Sequence, residues 1–183
     1  MNVYDFDGTI YDGDSTKDFY RYCLRRHPAI IRFLPAQLYG VIGGKIGLFD
    51  RTEMKERFLS FLRDVTPEDV ESFWALNIKN IRGWYLDVKM DDDVVISASP
   101  EFLIRPACDI LGIHDLIASN VDPGTGKFTG ENCKGEEKVR RFKEKYGNVA
   151  IDDFYSDSEH DLPLKDLSNR SFKVKGDRIE PWE

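Results

Sequence analysis

Asp5 and Asp7 stand two residues apart in Met1-Asn2-Val3-Tyr4-Asp5-Phe6-Asp7-Gly8-Thr9. Two carboxylates that close repel one another, and each raises the other's pKa unless a cation lies between them. A small, hard divalent cation takes oxygen ligands of this kind and is the simplest explanation of the pair. Val3, Tyr4 and Phe6 suit a short buried strand, and Gly8 marks where that strand turns. On extended chain both carboxylates would project to the same face. Aspartates at strand ends also cap helices or face water, so the pair needs partners from elsewhere in the chain.

Three later segments offer such partners. Ser97 ends the apolar run Val94-Val95-Ile96, and Ala98-Ser99-Pro100 behind it reads as a helix start, whose free N–H groups favour an anion. Both serines are candidate donors to a phosphoryl oxygen on the substrate side, Ser97 the better placed because it ends the strand, and Ser99 is expected chiefly to cap the helix. Lys134 lies in Gly130-Glu131-Asn132-Cys133-Lys134-Gly135-Glu136, just before a predicted helix. A cation is better placed at a helix's other end, so Lys134 is expected to pair with negative charge elsewhere, while Lys138 reads as solvated. Asp157 and Asp161 follow a further strand in Tyr155-Ser156-Asp157-Ser158-Glu159-His160-Asp161. Asp157 is suited to completing a metal site. Asp161 is suited to orienting Lys134 or a metal-bound water, or to capping the helix that follows.

The elements that must position these residues fall into two kinds. Ser15 or Thr16 caps a helix predicted from about Lys17 to His27, which Pro28 ends. Pro28 to Phe49 is crowded with large aliphatics, carries only Arg32 and Lys45 as charges, and is interrupted by Pro35 and four glycines. It is too broken to supply the roughly 20 apolar residues of a membrane span. Thr52 and Thr66-Pro67 open two more helices with apolar faces. Gly13 to Val88 therefore reads as helical throughout. From Val94 onward short strands alternate with helices, the pattern of an α/β fold with a doubly wound parallel, Rossmann-like sheet. The expected organisation is a core of residues 1–13 and 89–183 with a helical cap, 14–88, inserted after the first strand. In such a sheet ligands bind at the carboxyl ends of the strands, where Asp5, Ser97 and Asp157 would lie.

Composition narrows the alternatives. The 183 residues carry 26 Lys and Arg against 33 Asp and Glu, a net charge of −7, which argues against a nucleic-acid partner. Cys23, Cys108 and Cys133 are too few and too scattered for a disulfide framework or a cysteine zinc site. With Asp5 so near the start, cleavage of a leader would remove it, and a reducing cytoplasm is the expected location.

Taken in order and spacing, the four segments resemble the motif set of the haloacid dehalogenase superfamily. Asn132-Cys133-Lys134-Gly135-Glu136 and the cap position are most similar to its phosphoserine phosphatase-like branch. The resemblance implies a Mg²⁺-dependent phosphatase acting on a small phosphorylated metabolite through an aspartyl-phosphate. It makes Asp5 the nucleophile and Asp7 the acid and base, with Ser97 and Lys134 on the phosphoryl group. Asp5, Asp7, Asp157 and Asp161 then form the metal site. Departures concern the substrate. Ala98-Ser99 replace two glycines, Ser156 replaces another, and Asp14 stands where a glutamate holds the substrate amine. Arg57 is the nearest match to the arginine that reads the substrate carboxylate. A phosphotransferase or a non-catalytic phospholigand-binding module would use the same residues. The apolar stretch 28–49 admits a lipid phosphatase at a membrane surface, if part of it stays exposed beside Arg25, Arg26, Arg32 and Lys45. The alternative for that stretch is a private core within the cap.

Overall fold

The first strand, β1 (Val3–Tyr4), is two residues long yet central in the computed structural model, which describes residues 1–183. Five helices follow: α1 (Ser15–Arg26), α2 (Leu34–Lys45), α3 (Arg51–Phe58), α4 (Pro67–Asn77) and α5 (Gly83–Val88). The chain then alternates through β2 (Val94–Pro100), α6 (Glu101–Leu111), β3 (Asp115–Ser119), α7 (Glu136–Tyr146), β4 (Ile151–Ser156) and α8 (Leu162–Lys165). It closes with β5 (Ser168–Lys175) and β6 (Arg178–Pro181). The sheet order is β3-β2-β1-β4-β5-β6, parallel except for the antiparallel edge strand β6. This is the expected α/β fold. The order reverses at β1, so the crevice beyond the carboxyl end of β1 is the place for a ligand.

Alternation along the strands assigns the two faces. Val3, Val94, Ile96 and Ile117 pack with Phe142 of α7 and Leu164 of α8. Tyr4, Val95 and Leu116 point the other way and join a larger cluster with Leu103 and Ile104 of α6. That cluster also contains Phe19, Phe61, Phe73 and Trp74, so the helical segment and one sheet face share a single core. The Trp74 Nε1–H donates to the Leu103 carbonyl at 2.5 Å, pinning α4 to α6.

Residues 13–88 contain no strand. The helix starts differ in detail from expectation. Asp14, not Ser15 or Thr16, is the N-cap of α1, its carboxylate accepting the Lys17 N–H. Asp50 rather than Thr52 caps α3, in a reciprocal capping box with Glu53. β2 runs on to Pro100 and α6 begins at Glu101, so Ser99 is not a helix cap.

α2 is amphipathic the wrong way round for a helix in water. Its buried residues are Gln37, Gly40 and Gly43. Large aliphatics face outward, with Leu38 52%, Ile42 58% and, just beyond, Ile46 72% exposed. The glycines are what let α2 lie flat on its neighbours. A Cβ on Gly43 would sit 2.3 Å from the Phe49 ring and one on Gly44 1.9 Å from Met54 Sδ. The stretch is therefore not a private core: Ile30 is buried, but most of its large side chains are in solvent. No helix of the protein is long and apolar enough to cross a membrane.

Candidate active site

Asp5 follows β1 directly, and its backbone N–H donates to Tyr155 of β4. Asp7 lies in the tight turn beyond it rather than on extended chain. Both nevertheless line one cavity of about 690 Å³ at the carboxyl edge of the sheet, together with Ser97, Ser99 and Asp157. Gly8, at φ 76°, makes that convergence possible. A Cβ there would lie 2.1 Å from Asp157 Oδ2, so no other residue fits. Thr9, fully buried, fixes the far side of the turn, its hydroxyl accepting the Asp157 N–H at 3.0 Å.

The cation that holds Asp5 is Lys138, not Lys134. Lys138 is 2% exposed, and its Nζ donates to Asp5 Oδ1 at 2.7 Å and to Asp161 Oδ2 at 2.8 Å. The expectation that Lys138 is solvated is thus overturned. In the first turn of α7, its side chain shares the buried side with Phe142, at helical spacing of four. Lys134 is half-buried, lines the cavity, and pairs with no carboxylate. Asp161 is 2% exposed and receives a second hydrogen bond from Ser156 Oγ at 2.8 Å. Both of its contacts are thus on one oxygen, Oδ2, and one of them orients Lys138.

Electrostatics follow from burial. Desolvation pushes the Asp5 carboxyl above its ordinary range, against the pull of Lys138. Burial raises Asp7 as well, opposed by hydrogen bonds from Ser99 Oγ (2.5 Å to Oδ2) and the Ser15 N–H (2.6 Å to Oδ1). Asp157 is raised by desolvation and then by Asp161. The Ser97 hydroxyl accepts the Ser99 N–H at 3.1 Å, which leaves its own proton for a ligand.

Asp5, Asp7 and Asp157 present oxygen donors to one cavity, and of the three only Asp5 is paired with a lysine. No three carboxylates are close enough to enclose a metal unaided. That suits Mg²⁺, which keeps several waters and needs only one or two carboxylates beside a substrate phosphate. The donor set fits.

On the helical side, Asp14 lines the cavity but is already engaged by the N-terminus of α1 and by Lys17 at 2.8 Å. Arg57 is not in the wall. Its guanidinium stacks over Phe49 at 3.8 Å and Tyr39 at 5.1 Å, held there by the glycine side of α2. Lys55 and Arg51 of α3 face the cavity instead, beside Val41, Met54, Phe58 and Phe128. Lys55 donates to the Ala98 carbonyl at 3.2 Å and to Asn132 Oδ1 at 2.8 Å, and burial lowers its pKa to about 8. Neither residue has a distinctive spacing in the sequence. A capping box at Asp50 would have set the phase of α3 and so pointed to both.

A parallel sheet with paired aspartates beyond its central strand, the first of them held by a buried lysine, defines an α/β protein with a polar cleft at the carboxyl ends of its strands. The chain belongs to the haloacid dehalogenase-like hydrolases, whose family model matches residues 3–165. It is similar to a histidinol-phosphatase of Neisseria meningitidis, 32% identical over 102 residues, spanning 48% of this chain and 45% of that one. The chain thus covers less than half the length of that relative. Among solved structures, a protein of unknown function from Bordetella pertussis superposes with a TM-score of 0.75 at 21% identity, over 93% of this chain and 87% of the other. A substrate-bound phosphoserine phosphatase superposes with a TM-score of 0.56 at 18% identity, over 92% and 82%. Both likenesses are of fold.

Proposed function

We propose that the protein is a phosphate monoester hydrolase acting through an aspartyl-phosphate on Asp5. The observation that carries this reading is the clamp of Lys138 on one oxygen of Asp5, at the cavity edge of the central strand. With Oδ1 held, Oδ2 is the oxygen left to attack phosphorus as the P–O bond to the leaving group breaks. Asp7, whose raised pKa lets it carry a proton, gives that proton to the leaving oxygen. It then takes one from the water that attacks phosphorus and releases Asp5 as a carboxylate. Lys138 and the Ser97 hydroxyl offset charge on the phosphoryl oxygens. Mg²⁺, held by Asp5, Asp7 and Asp157, would supply further neutralisation of the phosphoryl group. Purified protein should release inorganic phosphate from small phosphate monoesters with no acceptor present. Chelation of divalent cations should abolish the release, and Mg²⁺ should restore it. Turnover that required an acceptor would instead indicate a phosphotransferase.

A second reading is favoured by α2. Its exposed aliphatic face is continuous with the cavity through Val41, 45% exposed, which lines it. Residues 28–49 contain Arg32 and Lys45 and no acidic residue, in a chain of net charge −7. An apolar face rimmed by cations suits the surface of an anionic bilayer, and the substrate would then be a lipid phosphate. Under this reading the protein sediments with anionic vesicles. A Leu38→Asp, Ile42→Asp double variant, both sites exposed, should sediment at least about tenfold less, because burial of each aliphatic is worth over 1 kcal/mol. Equal sedimentation of the two proteins would leave only the soluble-substrate reading.

A further inference from the structure

Asp5 and Asp7 are held in different ways. Lys138 fixes Asp5, but Asp7 has no cation partner, so its orientation depends on hydrogen bonds. Donors from two elements supply them. The Ser15 N–H, at the start of α1, donates to Asp7 Oδ1, and the Ser99 hydroxyl, near the end of β2, donates to Oδ2. What lies behind Ser99 sets the direction of its bond. A serine hydroxyl has one proton. With that proton on Asp7, Ser99 Oγ can only accept from Thr16 Oγ1, 3.1 Å away, and from the buried Ser15 hydroxyl at 3.5 Å. These hydroxyls therefore form a chain that runs one way, toward Asp7, and hydrogen bonds in such a chain polarise one another.

The strand is shaped to deliver this hydroxyl. Ile96 pairs with Ile117 of β3 and Pro100 with Ser119, so four steps along β2 match two along β3. The surplus residues make a bulge, a device that re-aims side chains beside active sites. Ser97 and Ser99 both lie in it and both line the cavity. The Ser99 N–H donates to Ser97 Oγ at 3.1 Å, which ties the serine on Asp7 to the serine offered to the phosphoryl group. The Ser99 proton is thus committed to Asp7, and neither to a phosphoryl oxygen nor to the start of α6.

We infer that Ser99 is a positioning residue for Asp7, its hydroxyl holding the carboxyl at the angle from which a proton passes to the leaving oxygen. This inference rests on the hydrolase reading above and adds a residue to its acid step. Thr16 acts through Ser99, as the donor behind it. One donor on each Asp7 oxygen leaves each a further lone-pair position, so the carboxyl presents a fixed edge to the cavity and does not rotate freely. General acid catalysis contributes about 10²–10⁴-fold and depends on such geometry.

The test varies the leaving group and keeps the phosphoryl group and the aromatic ring. p-Nitrophenyl phosphate loses a stable anion, whereas the alkoxide of benzyl phosphate must be protonated as it departs. Their kcat/KM values report the step that forms the aspartyl-phosphate, before Asp7 acts on water. Ser99→Ala keeps the backbone N–H that holds Ser97. It should lower kcat/KM for benzyl phosphate about 10- to 100-fold more than for p-nitrophenyl phosphate. Thr16→Val should move the same ratio in the same direction by less, and Ser99→Thr, which keeps the hydroxyl, should restore most of it. A merely structural role would lower both esters together. Equal losses on the two esters, or no loss on either, would overturn the assignment and leave the hydrolase reading standing. Wild-type protein that released phosphate from neither ester would overturn the hydrolase reading, and this assignment with it.

Discussion

Asp5→Asn is expected to remove phosphatase activity, by roughly 10⁴-fold or more, while the protein remains folded. The amide matches the carboxylate in volume and can still lie beside Lys138, but it has no anionic oxygen with which to displace the leaving group. Folding should survive because the neighbouring sheet is held by Val3 and Tyr4, both fully buried, and by ladders to β2 and β4 on either side. The measurement is phosphate release at saturating Mg²⁺, with thermal unfolding of both proteins as the control. A folded Asp5→Asn protein that turned over at near wild-type rate would remove the aspartyl-phosphate from the mechanism.

The second large effect belongs to Lys138. Loss of one preorganised charge aimed at a developing anion costs about 10²–10³-fold in turnover, and Lys138→Ala should lose at least that. Lys134→Ala should lose far less. Stability should respond too. Without Lys138, Asp5 and Asp161 face one another buried and uncompensated, a loss of about 3–5 kcal/mol at neutral pH. Burial already raises Asp5, so the folded variant binds a proton more tightly than its unfolded chain does. Its stability therefore falls as pH rises through the folded pKa of Asp5 and recovers on acidification. Urea denaturation of Lys138→Ala at pH 5 and pH 8 should show the deficit shrinking at the lower pH. A Lys134→Ala protein more impaired than Lys138→Ala would place the catalytic cation at the helix start after all.

Much of this architecture is legible in the chain because its signals are local. Val3-Tyr4-Asp5 and Val94-Val95-Ile96-Ser97 declare strands ending in polar residues, and the alternation after Val94 implies the parallel order. The short antiparallel β6 is harder, since Arg178-Ile179-Glu180-Pro181 is exposed and has no buried face to impose a pattern. Lys134 and Lys138 show what local reading misses. Which of two lysines four apart reaches the sheet depends on the docking phase of α7, a tertiary quantity, although the spacing of Lys138 to Phe142 hints at it. Arg57 misleads for a related reason. The cation–π stack that holds it away from the cavity needs Gly40 and Gly43 on a different helix to bring Phe49 and Tyr39 within reach. The outward aliphatics of α2 contradict the rule that large apolar residues go inside. The glycine stripe, with buried Gln37 hydrogen-bonded to Tyr20 and Phe58, explains how the helix stays attached without them.

The core shared by the helical segment and the sheet bears on how this protein can vary. An inserted cap with its own interior could be exchanged or deleted as a module, leaving the sheet whole. Here Tyr4 packs on Trp84 and Tyr85 of the insert, and Tyr4 and Val95 share one interior with its Phe19, Phe73 and Trp74, with Trp74 hydrogen-bonded onto α6. Excision of 14–88 would strip one sheet face to water. Among the helices of the insert that line the cavity, α2 and α3 contribute least to the common interior, so substrate preference can change there at the least cost to the sheet.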